Sequence, residues 1–131
     1  MNYIIRDVLD GDPIYYVRRT NSEGKYEYFT VNGWWHPKLS SDCLFESVAR
    51  LVDITEQRGL PYVFHIQNNM TAAGMTYSCV KFVEGSTEWL FCEDGKYKFG
   101  PLKYSVRAKL ESKNEVRNIV KEITEAENGT R

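Results

Sequence analysis

The 131-residue sequence predicts an α+β fold: an antiparallel β-sheet with two helices packed on one face, arranged as a tandem duplication of a strand-rich unit that ends in a helix. Three observations predict it. Short β-branched and aromatic runs are separated by turns rich in Asn, Asp and Gly. Two segments, beginning near Ser41 and at Ser112, carry apolar residues at helical spacing. The two halves, 1–60 and 61–131 of what reads as one domain, also correspond residue by residue at a period of roughly 60.

Tyr3 to Val8 reads as the first strand, closed by the turn cluster Asp10-Gly11-Asp12-Pro13. Ile14 to Arg19 follows, then the turn Asn21-Ser22-Glu23-Gly24 and a third strand from Tyr26 to Val31. Asn32-Gly33 demands positive φ. It leads into Trp34-Trp35-His36-Pro37, where Pro37 argues against a central strand. The first helix is expected from Ser41-Asp42, with Asp42 as N-cap and Leu44, Val48, Leu51 and Thr55 as its stripe. Gly59 and Pro61 end it.

The second half repeats the order. Tyr62 to Ile66 is a strand, Gln67 to Gly74 a long loop, Met75 to Val83 a strand and Glu88 to Cys92 another. Leu102 to Leu110 alternates cleanly and is expected to run extended. Ser112-x-x-Glu115 is a capping box that opens the last helix, whose stripe is Val116, Ile119, Val120 and Ile123. Tyr3-Ile4-Ile5 corresponds to Tyr62-Val63-Phe64, Tyr15 to Tyr77, Glu27-Tyr28-Phe29 to Glu88-Trp89-Leu90, and Phe45-Glu46-Ser47 to Leu110-Glu111-Ser112. A meander followed by a helix also yields matches of this kind without duplication.

The balance of 42% hydrophobic and 27% charged residues excludes a disordered or low-complexity chain. No apolar run approaches a membrane span, so no membrane partner is expected. Cys43, Cys79 and Cys92 form no C-x-x-C, and each lies among apolar residues as a small hydrophobe would. That usage, and an N-terminus without a signal-peptide core, point to the cytoplasm. His36 and His65 are the only histidines, and neither is followed by the H-x-S/T of two-histidine phosphoesterases. Nucleotide-loop, nucleophile-elbow and zincin motifs are missing as well. The expectation is a protein that catalyses nothing and holds no metal or cofactor.

Charge is the informative feature. The net value is −1, yet Lys96 to Lys121 holds eight basic residues against Glu111 and Glu115. In the extended reading, Lys103, Arg107 and Lys109 share a face; Lys113, Arg117 and Lys121 form a stripe on the helix that follows. Arg107 and Arg117 suit bidentate phosphate contacts, and the helix start at Ser112 adds backbone donors. Aromatic residues on or near strands, Tyr16 and Phe82 among them, are candidates to stack on a base. The alternative for the cations is a solvated face, and most of the rings must be core.

Tyr28-Phe29-Thr30, Gly33-Trp34-Trp35 and Leu44-Phe45-Glu46-Ser47 with Ala49 resemble a pattern of small bacteriophage accessory proteins: aromatic strand, Gly-Trp turn, then a helix of F-x-S-x-x-x-A type. Ala49 stands two residues after Ser47, a departure from that spacing. In length and layout the chain is also similar to phage Thoeris anti-defence sponges. That resemblance implies sequestration of a cyclic nucleotide or ADP-ribose-type signal at the interface of a homo-oligomer, in the host cytoplasm. It assigns Phe82 to the base and Arg107, Lys109 and Lys113 to phosphates. Two other classes stay open: an anti-CRISPR-like inhibitor that binds a host defence protein or its nucleic-acid site, and a small enzyme.

Overall fold

The computed structural model describes residues 1–101, 103 and 106–129; of residues 128 and 129 it gives the backbone only. Eight strands are hydrogen-bonded in the order β4-β3-β2-β1-β5-β6-β7-β8. They are β1 (Tyr3–Leu9), β2 (Asp12–Thr20), β3 (Tyr26–Phe29), β4 (Trp35–His36), β5 (Tyr62–Thr71), β6 (Gly74–Val83), β7 (Ser86–Glu93) and β8 (Lys96–Gly100). Two α-helices complete the fold, α1 (Val48–Gln57) and α2 (Lys113–Gly129). The α+β class is therefore as the sequence predicts. The sheet is antiparallel except at β1 and β5, which run parallel with Tyr3 opposite Phe64 and Ile4 opposite His65. A parallel pair needs a crossover connection, and α1 lies in that connection.

The chain divides into two compact units. Unit 1 comprises Met1–His65 and Phe82–Gly85. Its core gathers Ile4, Val17, Phe29, Phe45, Leu51, Ile54 and Val63, with Trp35, Leu60 and Phe82 packed against them. Asp10-Gly11 closes the β1–β2 hairpin, with φ of 51° and 86°. Positive φ at both central residues is what a type I′ turn requires. Asn21 holds the next turn: its Oδ1 accepts from the Glu23 and Lys25 amides at 2.9 and 3.0 Å.

The first helix begins later than its spacing suggests. Ser41–Cys43 forms a single 3-10 turn, and Leu44 is extended. Phe45 then makes an isolated antiparallel bridge to Tyr15, with both N–H···O bonds at 2.8 Å. Only after that bridge does the chain coil. Ser47, not Asp42, is the N-cap, and its Oγ accepts from the Arg50 amide at 3.1 Å. At the other end Leu60 N–H bonds Thr55 O and Gly59 N–H bonds Glu56 O. With Gly59 at φ 75°, this is a Schellman cap.

Unit 2 comprises Ile66–Lys81 and Ser86–Arg131. Cys79, Val80, Leu90, Leu110, Val116, Ile119 and Val120 are its buried apolar residues. The expected loop from Gln67 to Gly74 is mostly strand. β5 runs on to Thr71 and β6 starts at Gly74, where φ is 126°. Thr71 Oγ1 donates to Gly74 O at 2.7 Å across the turn. β8, which the sequence reading passed over, pairs with β7 from Glu93↔Lys96 to Trp89↔Gly100.

The extended run expected from Leu102 to Leu110 is not a strand among the described residues; Leu102, Tyr104 and Ser105 lie outside them. Val106 sits in a helical turn, its N–H bonded to Lys103 O at 3.1 Å, and it is 57% exposed where alternation would bury it. The segment meets the sheet at points rather than along its length. Ala108 N–H bonds Leu90 O on β7, and Leu110 makes an isolated bridge to Tyr77 on β6. Two residues on, Ser112 Oγ caps α2 by accepting from the Glu115 amide at 3.1 Å. Each unit thus contains the same device: a tyrosine in its second strand bridges a large apolar residue, and the serine two positions later caps the helix.

Candidate functional site

Lys103, Arg107, Lys109, Lys113 and Arg117 all belong to unit 2. Lys103, Lys109 and Lys113 are exposed. Lys109 is held between two backbone anchors, the Ala108 bond to β7 and the Leu110 bridge to β6. Lys113 opens α2, and its Nζ stands 6.0 Å from the centre of the Tyr77 ring. Among the described residues, no acidic side chain forms an ion pair with Lys103, Lys109 or Lys113.

The two arginines are differently placed. Arg107 is half-buried, and its Nη2 donates to Asn69 Oδ1 at 3.2 Å. Asn69 Nδ2 in turn donates to Ser78 Oγ at 3.3 Å, and Ser78 is fully buried. Arg107 therefore ties the 106–110 segment to β5 and β6. Arg117 donates from Nη1 to Asn114 Oδ1, 3.1 Å away on the preceding turn of α2. The start of α2 is also occupied by its own side chains. Ser112 Oγ takes the Glu115 amide, and Glu115 Oε2 reaches back to the Glu111 amide at 3.4 Å, one residue before the amide a capping box would use. A hydroxyl and a carboxylate of the chain itself therefore stand where an anion was expected to find bare donors.

The two candidate rings lie in unit 1. Tyr16 is 8% exposed and packs edge-on against Tyr28 at 5.7 Å. Burial, the largest cause, raises its phenol above the ordinary value. Phe82 packs against the unit 1 core. Both rings therefore have structural work in the fold.

Sequence reasoning did not single out a second feature of unit 1. An open concavity of about 460 Å³ is lined by Thr30, Asn32, Trp34, His36 and Asp42. Residues 31–36 alternate strictly: Val31, Gly33 and Trp35 lie inward, Asn32, Trp34 and His36 outward. The signal was present in the Asn32-Gly33 turn, which fixes the parity of everything after it. Trp35 takes the inner place, with its ring 5.1 Å from Phe29 and the Arg19 guanidinium 3.9 Å from its centre. Trp34 is left 68% exposed.

Among the described residues, no cluster of three or more His, Cys, Asp or Glu could hold a metal, and no helix is long and apolar enough to cross a membrane. No protein-family model, curated protein or solved structure matches the chain.

Proposed function

We propose that the protein is a non-catalytic binding protein that takes a phosphate-bearing ligand on unit 2, at Lys103, Lys109 and Lys113, with Arg117 one turn beyond Lys113 on α2. The carrying observation is that these three lysines are exposed and, among the described residues, have no acidic partner, in a segment that concentrates positive charge on a near-neutral chain. Exposed lysines usually gain little from ion pairs, so leaving them unpaired costs the fold nothing and leaves their charge available to a ligand. Arg107 serves by fixing the backbone that carries Lys109. A cyclic nucleotide or an ADP-ribose-type signal is the first candidate, on the resemblance to sponge proteins. Sequestration of such a signal by a phage-encoded protein in the host cytoplasm is the corresponding role.

A thermal-shift screen against cyclic nucleotides and ADP-ribose isomers tests this reading. A ligand at 100 times its dissociation constant stabilises by about 2.7 kcal/mol. The variant carrying Lys109→Glu and Lys113→Glu is expected to lose that shift while its unliganded unfolding midpoint stays within a degree or two (~0.5 kcal/mol), as for other exposed positions. A shift that survives the double charge reversal contradicts the placement. If no phosphate-bearing compound stabilises the protein, the reading fails in favour of a protein partner.

A further inference from the structure

We infer that the Trp34 concavity of unit 1 is a second, separate binding site, for an uncharged nucleobase that carries an exocyclic amino group. The argument begins with the backbone. Gly33 N–H bonds Thr30 O at 2.9 Å, Thr30 N–H bonds Trp34 O at 2.8 Å, and Trp34 N–H bonds Thr30 Oγ1 at 3.1 Å. Thr30 itself is buried. Two further elements clamp the turn. Arg58, the residue that ends α1, donates from Nε to Val31 O at 2.9 Å, and Val31 N–H bonds Asp42 O at 2.9 Å. Gly33 has φ 88°, and a Cβ there would come within 3.3 Å of the Arg58 side chain. The indole of Trp34 is thus carried on a backbone held from three directions, yet its own surface is left in water.

Exposing the largest apolar side chain on so fixed a base forgoes the burial that Trp35, one residue on, obtains. The lining explains what could use it. Asp42 offers acceptors only, while Asn32 and His36 each offer a donor and an acceptor. A flat ring stacked on the indole presents its edge to those groups, and an exocyclic amine finds its acceptor in Asp42. The lining includes a carboxylate and neither Lys nor Arg, so it disfavours a phosphate. That separates this site from the lysines of unit 2, and the inference does not depend on them.

Calorimetric titration of the intact protein with cytidine and adenosine tests it. Both are expected to bind more tightly than uridine, which lacks the amine, and than their own 5′-monophosphates. Trp34→Ala is expected to weaken binding about tenfold or more, the equivalent of ~1.4 kcal/mol and within the range for loss of a stacked base. Asp42→Ala is expected to remove the preference for cytidine over uridine. Both side chains are exposed, so unchanged unfolding midpoints will establish that both variants fold. Lys109→Glu is expected to leave nucleoside affinity as it was. Absence of nucleoside binding, affinity untouched by Trp34→Ala, or tighter binding of a methyl pyranoside than of any nucleoside overturns the inference, and none of these outcomes bears on the lysine surface.

Discussion

Cys79 and Cys92 stand on neighbouring strands of unit 2 and differ in what reagents can reach. Cys79 is fully buried, and burial pushes its thiol up to about 12, so at pH 8 it is protonated as well as shielded. Cys43 is buried in unit 1, and Cys92 is exposed. Iodoacetamide at pH 8 is therefore expected to place one adduct on the native chain, at Cys92, and three after denaturation, as read by intact-mass and peptide analysis. Alkylation of Cys79 as fast as Cys92 would contradict the packing of β6. The exposure of Cys92 was not legible in the sequence. Trp89-Leu90-Phe91-Cys92 is apolar at every position, so alternation gives no parity, and only the ladder to β8 shows that Leu90 is the buried member. Trp34 and Trp35 pose the same problem, and the left-handed Gly33 settles it by setting which indole turns inward.

The helices owe their starting points to contacts far away in sequence. Ser47 and Ser112 cap α1 and α2 through hydrogen bonds of the same length, 3.1 Å to the amide three residues on. Replacing either by alanine is expected to cost about 1 kcal/mol, measured as a lower denaturant midpoint at unchanged slope. An effect near zero at Ser47 would place the cap elsewhere, with Asp42 as the candidate. Local patterning identified α1 and its stripe but not its first turn. The bridge that pulls Phe45 out of the helix is made with Tyr15, thirty residues upstream. The ends of β5 and β6 were hidden for a related reason: Asn68 and Asn69 are poor strand formers, and pairing with a neighbouring strand overrides their preference. β8 was readable. Lys96-Tyr97-Lys98-Phe99 alternates between exposed lysines and half-buried rings, and Asp94-Gly95 before it has the positive φ of a hairpin turn. From Val106 to Leu110 alternation misled, because this stretch meets the neighbouring strands at single points, Ala108 and Leu110, and leaves Val106 exposed.

Across the whole molecule the same plan appears twice, four strands and then a helix, with Tyr15–Phe45–Ser47 in one unit and Tyr77–Leu110–Ser112 in the other. The residue matches between the halves named these positions in advance, since a bridging residue and a cap two places later leave a short, readable signature. What each copy carries differs. Unit 1 presents Trp34 beside Asp42; unit 2 presents lysines that lack acidic partners among the described residues. The sequence located the cations by charge alone, but it could not tell that Arg107 would be drawn into hydrogen bonding with Asn69, because that partner lies on β5, far away in sequence. An amide NMR titration of the uniformly labelled protein with ADP-ribose tests the central claim most directly. Saturable shifts concentrated at Lys103, Lys109, Lys113 and Arg117 and their sequence neighbours are the predicted result. Saturable binding that leaves those amides unmoved, or no binding at millimolar concentrations of the ligand, would contradict it.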